Sequence, residues 1–114
     1  MNDTQRADLT TSQDLSVAAL SYTSTIGRRF QLDEVILHAS VAITETITVS
    51  KVSKSGANYT AVLATRDLVA EQDFVFRPQG GCKFLESDEV KVQCTQANLT
   101  GTVYVVIKTS ALLK

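Results

Sequence analysis

Residues 90–110 read Val-Lys-Val-Gln-Cys-Thr-Gln-Ala-Asn-Leu-Thr-Gly-Thr-Val-Tyr-Val-Val-Ile-Lys-Thr-Ser. In the first part Val90, Val92 and Cys94 alternate with Lys91 and Gln93, the period-two pattern of a strand that buries one face. Asn98 to Gly101 supply turn chemistry. The second part, Val103 to Ile107, is apolar on both faces. Such a strand belongs in the middle of a sheet, or needs a second layer over its other side. A strand with one wet face, a short turn and a strand with no wet face together indicate a layered antiparallel β protein.

Working outward, the same texture covers most of the chain. β-Branched and aromatic runs predict eight strands, at 17–23, 29–39, 43–52, 58–68, 73–77, 82–86, 90–96 and 102–110. In the third, Ile43, Ile47 and Val49 share one face, and Thr44, Thr46, Thr48 and Ser50 the other. Turns are expected at Ser55-Gly56-Ala57-Asn58 and at Pro78-Gln79-Gly80-Gly81, where proline fixes φ and glycine admits positive φ. Eight short strands without a convincing helix predict an all-β antiparallel β-sandwich over 17–114, jelly-roll-like, with a small closed barrel as the alternative. Residues 1–16 are polar apart from Ala7, Leu9 and Leu15, and read as an N-terminal arm that lies on a neighbour or folds back.

One hairpin admits a finer reading. If 82–86 pairs with 90–96 around Asp88, Phe84 faces Val92 and Cys82 faces Cys94 on the core side. That placement allows either a disulfide or two reduced core thiols, and synthesis in a cytoplasm favours the thiols.

Charge and motifs exclude several functions. Eleven Lys and Arg stand against twelve Asp and Glu, and each half of the chain is balanced. Nucleic-acid binding needs clustered cations, so no nucleic-acid partner is expected. The N-terminus has no signal-peptide pattern, and no apolar run reaches the roughly 20 residues of a membrane span, so no membrane partner is expected. The one histidine, His38, lacks the companions of a zinc site, and neither cysteine sits at ligand spacing from it. No nucleophile elbow accompanies a His38–Cys82 pairing. The doublet Asp33-Glu34 should point to opposite strand faces, and Asp88-Glu89 should be a solvated turn. Phe74, Phe76 and Phe84 read as core. No catalytic, cofactor or metal residues are assigned, and the protein is not expected to be an enzyme.

The segment from Asp73 to Ser110 carries an apolar strand, the Gly80-Gly81 turn, a Phe84-to-Val90 strand entry and the Gly101-Thr-Val-Tyr-Val run of the last strand. In these features it resembles small β-sandwich virion proteins of tailed bacteriophages. The resemblance implies a structural protein made in the host cytoplasm and found in the virion, stabilising capsid or tail by contacts with major capsid or tail proteins. Receptor- or glycan-contacting modules share the architecture and form the alternative. The two-faced last strand and the apolar residues after it predict a homo-oligomer, with a trimer as the first expectation. The interface is expected at Leu9, Leu15, Tyr104, Val106, Leu112 and Leu113. The competing expectation has residues 1–16 covering the last strand's outer face in cis.

Overall fold

A computed structural model of the chain describes residues 6–25, 29–53, 59–79, 82–85, 88–97 and 100–111. The described residues form nine strands: β1 Arg6–Asp14, β2 Leu20–Thr25, β3 Phe30–Ile43, β4 Thr46–Val52, β5 Ala61–Asp67, β6 Glu71–Phe76, β7 Cys82–Phe84, β8 Glu89–Cys94 and β9 Thr102–Ala111. Among the described residues there is no α-helix.

The strands form two antiparallel sheets. One runs β1-β9-β3-β6, with β7 also on β3, and the other runs β2-β8-β4-β5. β6 pairs with β3 from Val35 onward, and β7 pairs with Phe30 to Leu32 of the same strand. β6 and β7 are thus two pieces of one interrupted edge strand, and the pairing is that of an eight-stranded jelly roll. The expected β-sandwich is the observed one. β9 lies between β1 and β3, the interior position its two apolar faces demand.

The polar arm is replaced by a strand. Arg6 to Asp14 pair residue for residue with Thr102 to Ser110, and Leu15 is 0% exposed in the core. Residues 8–14 are all exposed or half-buried. Their stability comes from the open edge of β9, which supplies backbone partners to whatever lies beside it. For the same reason these residues do not cover β9 in cis: they extend its sheet sideways.

The finer hairpin reading is also corrected. β7 belongs to the first sheet and β8 to the second, so Cys82 pairs with Leu32 while Cys94 lies opposite Leu20 and Ile47. Both cysteines are free. The chain between the two strands crosses from one sheet to the other, which hairpin register alone could not reveal. In that crossover Asp88 is only 1% exposed, against the expectation of a solvated turn. Its Oδ2 accepts the Leu85 N–H at 2.9 Å and lies 3.8 Å from Lys51 Nζ, so its charge is held by a backbone donor and a cation.

Between the sheets, Leu32, Val35, Leu37, Ile47, Val49, Val90, Val92, Val103, Val105 and Ile107 form the core, with Phe30 and Phe84 stacked at 4.6 Å. A register shift in β3 falls between Leu32 and Glu34. This bulge puts Asp33 and Glu34, both half-buried, between the buried Leu32 and Val35, instead of on alternating faces. One extra residue keeps both apolar neighbours pointing inward. Ser50, expected outside, is buried beside a second bulge between β4 and β5. The turn expected at 55–58 lies outside the described residues, as do Gly80 and Gly81 of the turn expected at 78–81 and residues 98–99 of the one expected at 98–101.

Candidate interaction surface

The outward face of the β6-β3-β9-β1 sheet is built by register. Val75, Ile36, Val106 and Thr10 stand side by side across the four strands. The next row is Asp73, His38, Tyr104 and Ser12. On the other side of the apolar row, Glu34, Lys108 and Asp8 align. Strand alternation explains the rows, because every second side chain of each strand points away from the core.

Polar groups frame this face and are paired within it. Glu34 Oε2 accepts from Arg77 Nε at 2.6 Å, and its Oε1 lies 3.9 Å from Lys108 Nζ. His38 Nδ1 and Asp73 Oδ1 are 2.7 Å apart, which orients the imidazole along the sheet. Asp33 accepts from Gln31 Nε2 at 2.9 Å and from the Ser110 hydroxyl. Between these frames lie apolar groups that water still reaches: Tyr104 is 50% exposed and Val75 48%, with Ile36 and Val106 half-buried. A shallow depression of about 480 Å³ lies where Thr10, Thr11 and Ser12 meet Tyr104 and Val106.

The six residues expected at an interface therefore separate. Tyr104 and Val106 are on this face. Leu9 lies opposite Ile107 and packs half-buried against the core, and Leu15 is fully buried, so neither lies on this face. Leu112 and Leu113 lie outside the described residues. Ile36 and Val75 were not anticipated. The signal was present: Ile36 sits between Glu34 and His38 on the polar phase of β3, an apolar residue where alternation calls for a polar one.

A second concavity, of about 410 Å³, opens at one end of the sandwich among Glu45, Asp67, Leu68, Val69 and Thr95. Glu45 is 3% exposed, and its Oε1 accepts from the Thr95 hydroxyl and the Ala97 N–H, both at 2.7 Å. Its backbone exchanges hydrogen bonds with Leu68. Glu45 thus ties the β3–β4 connection to the β8–β9 connection through its carboxylate and to the β5–β6 connection through its backbone. Burial pushes the nearby Cys94 thiol up to about 12, and the Glu45 charge adds to the shift. A thiol held neutral in this way is a poor nucleophile. His38 is on the outward face while both cysteines pack inward, so the fold keeps the Cys/His combination apart. Among the described residues no three His, Cys, Asp or Glu side chains cluster as metal ligands would.

No family model matches the chain, and no curated protein does. Among solved structures it is similar to the Drosophila NLP core, a crystal structure reported for its insight into pentamer formation and histone binding. The two share 17% identity with a TM-score of 0.50, over 92% of this chain and 97% of that one. At that identity the likeness is one of fold.

Proposed function

We propose that the chain is a non-enzymatic structural protein that works by assembly, packing the outward face of its β6-β3-β9-β1 sheet against a further copy of itself. The observation that carries this reading is the row Val75, Ile36, Val106 with Tyr104 beside it, apolar and water-exposed on a sheet where the flanking Glu34, Arg77, Lys108, His38 and Asp73 already pair with one another. Covering the exposed half of such side chains is worth about 1 kcal/mol each, and Tyr104 adds an aromatic anchor with a polar tip. Pairing Glu34 with Arg77 and Lys108, and Asp73 with His38, lowers the cost of bringing that frame out of water.

The setting proposed is the virion of a tailed bacteriophage, on the resemblance of residues 73–110, with major capsid or tail proteins as the other partners. The Drosophila NLP core, reported for pentamer formation, supports the reading of a homo-oligomer. Its histone binding is not carried over. This chain has a formal net charge of −1, and on the candidate face Glu34 is engaged with Arg77 and Lys108 and Asp73 with His38.

Native mass spectrometry and light scattering test the assembly surface. Val106→Asp and Ile36→Glu should each lower the mass of the purified protein while leaving its β-sheet circular dichroism intact. An unchanged mass for both variants would overturn the assignment of this face. Co-expression with major capsid and tail proteins of tailed bacteriophages tests the setting, and failure to co-purify with any of them would count against a virion role.

A further inference from the structure

Among the described residues the two sheets have four edges, β1 and the interrupted β6/β7 on one (β7 carrying Lys83) and β2 and β5 on the other, and an open edge invites pairing with another chain unless something blunts it. β1 carries Arg6, Asp8 and Asp14. β5 carries Arg66 and Asp67, and a bulge interrupts its pairing with β4. β6 carries Glu71 and Asp73, and its register with β3 breaks after His38. β2 is different. Its six residues, Leu20, Ser21, Tyr22, Thr23, Ser24 and Thr25, include no charge, proline or glycine. They pair with β8 in unbroken register and, among the described residues, with no other strand.

We infer that β2 is a self-pairing edge: β2 of one copy joins β2 of a second across a twofold axis, fusing two β2-β8-β4-β5 sheets into one of eight strands. A twofold axis normal to the sheet makes the two strands antiparallel, and every second residue of β2 aims its N–H and C=O away from β8. Such an axis sets residues of the same strand against one another, so any charge on it meets like charge nearby. The charge-free edge is the one suited to this arrangement.

The side chains select a register. Ser21 and Thr23 point outward and are exposed, while Leu20, Tyr22 and Ser24 point inward. Keeping outward residues opposite outward ones centres the axis on a residue, and Tyr22 is the one that gains. Half-buried at the open flank of the core, it would meet its own copy across the seam. Ser21 would then face Thr23 of the second copy, a hydroxyl pair typical of strand neighbours. This surface is separate from the outward face of the other sheet and does not depend on it.

Charge swaps test the inference. The background is Val106→Asp, which removes the outer-face contact proposed above. There the protein should be a dimer at high micromolar concentration. Ser21→Lys with Thr23→Lys should halve the mass, as should Ser21→Asp with Thr23→Asp. Mixing the two should restore the dimer, because Lys at one position then faces Asp at the other. Ser21→Thr with Thr23→Ser should stay dimeric, which separates charge from damage to the fold. Amide exchange should show β2 protected in the dimer and unprotected in the lysine variant. A monomeric background protein, a lysine variant that stays dimeric, or a mixture that stays monomeric would each overturn the pairing. Loss of mass on Val106→Asp alone bears on the outer face and leaves this test intact.

Discussion

Leu15→Ala should be among the most damaging single truncations in this protein, although Leu15 lies in a stretch whose composition reads as a free arm. The side chain is 0% exposed, and its N–H donates to the Gly101 carbonyl at 2.8 Å. Its own carbonyl accepts from Gln96 Nε2 at 2.6 Å. The backbone is therefore fixed from two sides, and the core cannot readily collapse into the space left by the lost methyls. Leucine-to-alanine changes in such sites cost about 2–5 kcal/mol, and the fixed backbone argues for the middle of that range or above. For 114 residues at about 2.1 cal/mol/K each, the unfolding entropy is near 0.24 kcal/mol/K, so a loss of about 3 kcal/mol lowers Tm by roughly 12 °C. Differential scanning calorimetry and urea titration measure it. Leu85→Ala is the control: that side chain is 56% exposed, and its loss should stay within about 0.5 kcal/mol. Deleting residues 1–15 should do more than either, exposing the edge of β9 and promoting aggregation. A Leu15→Ala protein melting within about 2 °C of the parent, or a truncated protein that stays soluble with the parent's Tm, would refute the reasoning.

Two further outcomes follow from particular contacts. Gly101 has φ +85°, and a Cβ there would lie 2.7 Å from Val41 Cγ2, so Gly101→Ala should cost about 1–3 kcal/mol by urea titration. Adding Val41→Ala should recover the clash but not the backbone strain, and full recovery would show that φ does not matter. The Cys94 thiol should escape alkylation until the protein unfolds. A thiol raised in the folded state stabilises it fully below the ordinary value of 9.0, and the stabilisation is lost as pH rises from there toward about 12. Cys94→Ala should flatten that alkaline part of the stability profile, and an unchanged alkaline slope would contradict the assignment.

Much of the fold was legible because one face of most strands is buried and the other is wet. Alternation in 90–96 and the two-faced run at 103–107 placed β8 and β9 correctly, and β9's interior position followed from having no polar face. β1 was not legible. Its residues, Arg-Ala-Asp-Leu-Thr-Thr-Ser-Gln-Asp, form a strand because β9 offers backbone partners, and a long-range hydrogen-bonding template leaves no periodicity in the segment that docks on it. The Asp33 bulge escaped for a related reason: strict alternation assumes an unbroken pleat, and one inserted residue reverses the phase of everything after it.

The candidate surface was half legible, and what divides the two halves is a question of phase. Tyr104 and Val106 stand out because they make β9 apolar on the face that alternation would leave polar. In the sequence, Leu9 and Leu15 stand as apolar residues in a polar segment, a pattern that points to a partner outside the domain. Once the arm is a strand, its pairing with β9 sends Leu9 inward opposite Ile107, and the turn after it sends Leu15 into the core. Ile36 and Val75 belong to the surface only because β3 separates β9 from β6, a spatial order that no local pattern contains. Isolated apolar residues on a sheet's wet face are ordinary. Three of them in one row across adjacent strands, with an aromatic in the next row, form a continuous patch, and continuity is what distinguishes a contact surface from scattered exposure.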